Sequence, residues 1–562
     1  MKLREEVKGQ LSVRGIIVGS IGCIIITMAS AYTALKVGAL PWPIVFAAIV
    51  SLFALKAISG NKTNLNEVNV THTIMSAGAM VAGGLAFTIP AAWMLGFADD
   101  VNYVRVALVA LAGVVLGCAF CAVLRKKYIE EEELEFPVGQ ASAQTLIAGN
   151  SAGKMGAKLF GSMGVAGVYC ALRDMFGALP TMLFSNVKIP GVSFGIYNSP
   201  MMLAVGFLVG TGTVIAWFIS AILAHFGIVV GGSALGFWTA EAGQSIISNL
   251  GMGIMLGGGF AVLVKDVLFP IVRNIFKKNA ADKNKSADGE QKRGFRSKLS
   301  AGSFACCVAA GFLLLAIVVK MNPLVCVVVV ILTYVTCIMS SQSVGQTGID
   351  PMEIFGLIVL LIVAAFSNYS EVQLLFIAAA VAVACGLAGD VMNDFKVGSV
   401  LKTSPSAQII GQAIGAILGA VVATIVLYLL FNAYGASSFG ADGTFVAAQA
   451  SVVASMIGGT INVPVFIGGI CFGFVAYLFK LPAMIIGLGV YLPFYFSLTA
   501  FLGALIGIVY RKIGAAKDKK NGVQDVEEKA KSREESGLVI ASGLLGGESI
   551  IGVIVALLAV FM

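Results

Sequence analysis

Apolar runs of the length that crosses a bilayer as a helix, about 17–25 residues, recur from one end of this chain to the other. Such a chain cannot bury its runs in one water-soluble core. In lipid each run must satisfy its own backbone N–H and C=O groups, which an α-helix does. Composition agrees: 58% of the 562 residues are hydrophobic and 12% charged, against roughly 25% charged in soluble domains. Mean hydropathy is +0.94. The expected fold is an all-α polytopic membrane protein of about 14–16 membrane segments, including broken or re-entrant half-helices, in two tandem repeats. Little chain is left for a water-exposed catalytic domain.

The pattern places spans near 12–35, 42–58, 70–96, 103–124, 155–176 and 200–224, then near 299–320, 323–339, 350–368, 372–389, 405–431, 463–479 and 482–510. This divides the chain into an N-terminal repeat (1–275), a basic linker (276–298) and a C-terminal repeat (299–562) with a polar loop at 511–536. Counting crossings leaves a parity mismatch, which half-helices near 226–265, 447–460 and 537–562 would resolve. Non-helical backbone at membrane depth is tolerated only inside protein or along a cavity, so these stretches point to a translocation site.

Lysine and arginine placement sets the orientation. The N-terminus (Lys2, Arg4, Lys8, Arg14), Arg125-Lys126-Lys127, and the 276–298 and 511–536 stretches are basic and belong in the cytoplasm. The loops 97–102, 177–199 and 432–446 are poor in base and belong outside. The N-terminal run reads as a first span rather than a cleaved signal, and the expected location is the cytoplasmic (inner) membrane. The net charge of +8 sits in these few loops and is no nucleic-acid signal.

Three matches in order suggest duplication: Ser142-Ala143-Gln144 with Ser406-Ala407-Gln408, Pro200 with Pro482, and Glu241 with Glu535. Their offsets drift through 264, 282 and 294 residues. If both halves start in the cytoplasm, the copies are parallel, related by an axis along the membrane normal.

Several chemistries lack the residues they need. All ten cysteines lie in apolar segments, as buried thiols do, and with two histidines, His72 and His225, no fixed metal site or cofactor is expected. No Walker A, Gly-x-Ser-x-Gly or His-Glu-x-x-His pattern occurs. A membrane-embedded enzyme or a channel remain the alternatives to a transporter.

Four polar constellations stand out. The first is Asn64 to Gly78, in which Glu67, Asn69, His72, Thr73 and Ser76 precede or line one helix face, able to hold a substrate carboxylate or to cap a helix. Its His72 either shares a proton with Glu67 or sits at the interface. The second follows the acidic run 130–135: Pro137-Val-Gly139 opens a helix offering Gln140, Ser142 and Gln144. The third, Gly389 to Gly415, gathers Asp390, Asn393, Asp394, Lys396, Lys402, Gln408 and Gln412. Its charged half reads as a gate, with Asp390, Asp394 and Lys396 as gating or proton-coupling groups. The fourth is Glu548, isolated in an apolar segment, where a carboxylate must carry a proton, meet a cation or line water.

These residues carry a resemblance. Glu67-x-x-x-x-His72-Thr73, Phe136-Pro137-x-Gly139-x-Ala141, Asp390-Val-Met-Asn393-Asp394-Phe-Lys396-x-Gly398 with Thr403-Ser-Pro405, and Ala541-Ser-Gly-Leu-Leu-Gly-Gly-Glu548 resemble, in order, motifs of the oligopeptide transporter (OPT) superfamily. That superfamily includes the yellow stripe-like metal-chelate transporters. Two positions depart from the pattern: His72 stands where many members have Gln, and Glu548 where the yellow stripe-like proteins have Asp. The resemblance implies a prokaryotic member and proton-coupled uptake of peptides or metal chelates by alternating access. The implied partners are such a substrate, protons and membrane lipid, with a homodimer as one assembly open to the chain.

Overall fold

Helices begin and end where the sequence supplies caps and breakers. Ser12 accepts the Gly15 N–H and opens α1 (Val13–Val37), and Gly38, at φ 72°, closes it in the left-handed region that favours glycine. Asn64 caps α3 (Leu65–Ala86), and Ser370 with Gln373 forms a capping box on α14 (Glu371–Gly389). The computed structural model describes residues 7–561 apart from 39, 41–42, 60–62, 152–153, 263, 266–268, 270–300, 349, 441–442, 459–461 and 521–525. The expected 276–298 linker therefore lies outside the described residues.

The remaining helices of the first half are α2 (Pro43–Ser59), α4 (Pro90–Met94), α5 (Tyr103–Arg125), α6 (Pro137–Ser151), α7 (Lys154–Asp174), α8 (Pro200–Leu208), α9 (Thr211–Ile222) and α10 (Ala240–Val262). Between α7 and α8 a short hairpin pairs β1 (Met182–Leu183) with β2 (Ile196–Tyr197) antiparallel. Then follow α11 (Ala301–Val318), α12 (Pro323–Thr347), α13 (Met352–Phe366), α15 (Val391–Leu401), α16 (Pro405–Tyr434), α17 (Ala448–Gly458), α18 (Val463–Leu478), α19 (Ala483–Tyr491), α20 (Phe494–Lys520) and α21 (Val526–Phe561). Among the described residues eleven helical stretches are long and apolar enough to span a membrane, and five apolar helices are shorter. The all-α polytopic expectation holds.

Four local expectations change. The stretch 537–562 is not broken: α21 runs unbroken for 36 residues. The 511–536 loop is largely helical, formed by the end of α20 and the start of α21. The span expected at 482–510 is two helices, because Pro493 drives Leu492 to ψ 146° and stops α19. The matching span at 200–224 is broken at Gly210, φ 90°. The half-helix expected at 447–460 is present as the 11-residue α17.

The packing repeats with a register of eleven helices. α3 lies on α16 as α14 lies on α5; α7 lies on α21 as α18 lies on α10. Likewise α8 packs on α20 as α19 packs on α9, and α6 on α15 as α17 on α4. Corresponding helices run in opposite directions: Gly84 of α3 meets Val383 of α14, while Met80 meets Gly386. The two halves thus pack as inverted copies, not the parallel ones that a shared starting side would give. In this register α16 answers to α5, so Ser142 and Ser406 are not equivalent, whereas Pro200 and Pro482 are.

The close seams are made by glycine. A Cβ on Gly419 would lie 2.4 Å from the Gly78 Cα, and one on Gly415 would lie 2.0 Å from the Ile74 carbonyl oxygen. With no hydrophobic drive between helices in lipid, such close backbone approach supplies packing energy. Gly415→Ala is expected to destabilise the protein by about 1–3 kcal/mol through overpacking, read as a lower melting temperature in detergent. Gly161→Ala, with nothing within 4 Å of the added Cβ, is the neutral control.

Candidate functional site

α1 and α3 run side by side, and the start of each carries polar groups among buried surroundings. The Glu67 carboxylate takes both nitrogens of Arg14, Nε to Oε1 at 2.6 Å and Nη2 to Oε2 at 2.6 Å, and the Ser12 hydroxyl donates to it as well. Such a bidentate pair is directional and strong for its size. Glu67 is thereby committed to the start of α1.

One turn along α3, Asn69 Nδ2 donates to Thr403 Oγ1 at 3.1 Å, and Thr403 donates to Asn66 at 2.9 Å. His72 does not pair with Glu67. Its Nε2 lies 3.3 Å from Asp394 Oδ1, with both side chains fully buried, and its Nδ1 is 3.5 Å from Asn69 Oδ1. The Ser76 hydroxyl donates to the other Asp394 oxygen. The Nε2 and Oδ1 atoms have no aligned hydrogen bond of their own, so the two groups are in close contact without being locked in a bond. Thr73 turns back to the Asn69 carbonyl of its own helix, 3.1 Å away.

From α16, Gln408 donates to the Asp394 carbonyl at 2.7 Å and Gln412 to the Leu387 carbonyl at 3.2 Å. Side chains of α3, α15 and α16 thus form one buried polar seam across residues more than 300 positions apart in sequence, with Arg14 of α1 at its half-exposed end. Asp394 and Lys396 do not pair with each other. Lys396 donates to the Leu134 carbonyl at 2.7 Å, and Asn393 accepts the Gly139 N–H at 3.0 Å, so α15 clasps the entry to α6. Asp390 is half-buried at the α14–α15 junction, beside Gly389. A Cβ on Gly389 would lie 2.5 Å from Asp350 Oδ2, and Ser340 holds Asp350 Oδ1 at 2.7 Å.

Beyond Gly139, the polar side chains of the second constellation do not join the seam. Gln140 and Gln144 are exposed on α6, and Ser142 is buried with a hydroxyl that has no hydrogen-bond partner. No described residues form a group of three or more His, Cys, Asp or Glu placed to hold a metal ion.

Glu548 meets a cation. Arg173 Nη2 donates to its Oε1 at 3.0 Å, Ser199 Oγ lies 2.9 and 2.8 Å from its two oxygens, and the Met201 N–H donates to Oε2 at 2.8 Å. Its carboxylate therefore also caps the N-terminus of α8, where the helix dipole favours negative charge. Arg173 is fully used: Nε and Nη2 reach Asp174 at 2.6 and 2.7 Å, and Nη1 reaches the Asn198 carbonyl.

This second node sits at the other end of the bundle. Beside it stands Lys36, 6% exposed, whose Nζ lies 3.4 Å from the Tyr197 hydroxyl. From Gly15, beside Glu67, to Lys36 is about 30 Å of helix at 1.5 Å per residue, close to the thickness of a hydrocarbon core. Tyr197, in the hairpin, is half-buried; desolvation and the Glu548 charge push its phenol up, so it stays a protonated donor. Lys36, Arg173 and Tyr197 were not among the residues singled out from sequence. One signal marked the two cations: each closes an apolar run at the end of the bundle where lysine and arginine are scarce.

A family model described as OPT oligopeptide transporter protein matches residues 10–559. A curated protein of Haemophilus influenzae, described as a "Putative oligopeptide transporter", is 24% identical over 594 aligned residues, covering 93% of this chain and 92% of its own. Many apolar helices, a polar seam buried between them and a family match spanning almost the whole sequence agree. The chain belongs to the OPT oligopeptide transporter family and is a multi-pass membrane transporter.

Proposed function

We propose that the protein takes up short peptides across the cytoplasmic membrane by proton-coupled alternating access. The observation that carries this reading is the fully buried contact of His72 with Asp394 and Ser76. An imidazole and a carboxylate in contact can exchange a proton, and charge buried among membrane helices is costly unless it is used. The pair links α3 to α15, elements that correspond to neither each other nor a common half, so its protonation bears on how the halves pack. Proton binding can bias the two access states only by its difference in affinity for them.

The start of α1, the end of α5 and the end of α20 are gathered at the seam end, which collects Arg14, Arg125-Lys126-Lys127 and Lys517 with Lys519-Lys520. Basic residues favour the cytoplasmic side, so the seam reads as the cytoplasmic gate. The two half-chains, 1–275 and 299–562, are the bodies that rock against each other. The crossed broken helices α8–α9 and α19–α20 are the kind of discontinuous helix that flanks transporter sites.

Proteoliposomes of purified protein test the reading. An inward proton gradient is expected to drive accumulation of a labelled di- to hexapeptide. Uptake indifferent to the gradient refutes proton symport. A metal chelate that competes where peptides do not would reassign the substrate.

A further inference from the structure

Lys36 opens onto a cavity of about 550 Å³, within the range of pockets that hold small organic ligands. Tyr32, Tyr197, Tyr434 and Phe496 contribute aromatic walls, and Asp174 stands at its edge. The two cations of the lining are not equivalent. Arg173 is saturated by Asp174, Glu548 and a carbonyl. Lys36 has no carboxylate within 4 Å among the described residues, and its only hydrogen-bond contact is the Tyr197 oxygen. Rings of Tyr32, Tyr197 and Phe445 surround its ammonium at 5.9, 5.5 and 5.1 Å. Those rings offset part of the cost of burying the charge, but they supply no counter-charge. A buried ammonium with donors to spare, aimed into an aromatic cavity, is half of an ion pair.

We propose that this cavity is the peptide site: Lys36 pairs with the C-terminal carboxylate of a short peptide, and the Tyr197 hydroxyl donates to the same group. The proposal rests on the peptide-transport reading and gives it a place and a chemistry. The Tyr197 oxygen accepts from Lys36, which leaves its O–H free for the ligand. The ring faces of Tyr32, Tyr434 and Phe496 offer apolar contact area that makes no directional demand, which suits peptides of differing sequence. The site lies at the end of α1 opposite the His72–Asp394 seam, so a ligand held there is separated from the other side by the length of the bundle.

Equilibrium binding to the purified full-length protein, with no proton gradient, tests this directly. The probes are di-, tri- and tetra-alanine and the C-terminal amide of each. The wild-type protein is expected to prefer the acid to the amide by about tenfold or more, the scale of one charge-assisted pair. Lys36→Met should bind the acid as weakly as the amide, with its melting temperature retained, and Lys36→Arg should recover part of the preference. Equal binding of acid and amide by the wild type overturns the proposal, as does wild-type affinity in Lys36→Met or no peptide binding at all. The amide comparison needs no variant, so a misfolded substitution does not decide it. A carboxylate preference that survives while uptake ignores the proton gradient would sink only the coupling reading. Gradient-driven uptake of acid and amide alike would sink only this one.

Discussion

Arg173→Met is expected to cost the protein about 3–5 kcal/mol, the scale of stripping one partner from a buried ion pair. The substitution leaves Glu548 with only Ser199 and the Met201 N–H as hydrogen-bond partners, and it frees Asp174 as well. Melting of the purified protein in detergent is the measurement, and a large fall in melting temperature is the expected result. The double variant Arg173→Met with Glu548→Gln should recover much of the loss, because Gln still accepts from Ser199 and from the α8 N-terminus, and the one charge left without its partner is that of Asp174, which is partly exposed. Additive losses in the double variant would show that the two side chains do not act as a pair.

Asp394→Asn is expected to leave the fold in place and remove proton coupling. The amide is isosteric and its oxygen still accepts from Ser76, so the seam keeps most of its hydrogen bonds. What is lost is the carboxylate that faces His72 at 3.3 Å. Gradient-driven accumulation in proteoliposomes should fall on the order of tenfold or more, since a site that no longer binds the proton differently in the two states cannot shift them. Counterflow exchange, which needs no net proton movement, should persist. An unchanged response to the gradient would remove Asp394 from the coupling role, and a loss of both readouts would mark it as structural.

Glu548 shows how far a sequence carries such arguments. Its isolation in an apolar run marks it as costly, and three resolutions stand open: a proton, a cation or water. The structure supplies a cation, Arg173, 375 residues earlier, together with a helix N-terminus. Nothing local to either residue points at the other. His72 is the same case, since Glu67 is the nearer acid in sequence, yet Glu67 is held by Arg14 and the imidazole meets Asp394 instead. Gln140 and Gln144 mark the opposite failure. Polar spacing put them on a candidate surface, and the helix turned that surface away from the seam.

The sequence by itself determined the class, most helix ends and the polar residues worth attention. Those follow from local physics: run length against bilayer thickness, proline and glycine as breakers, and side chains that cap a helix. Only the tertiary structure decided the partners. The inverted packing of the halves, the His72–Asp394 contact, the Glu548–Arg173 pair and the unpaired Lys36 each depend on which helices lie side by side. In lipid that choice is made by close backbone contact along glycine seams such as Gly78–Gly419. Every apolar helix is equally content with its tails as neighbours, so hydropathy alone carries no record of it.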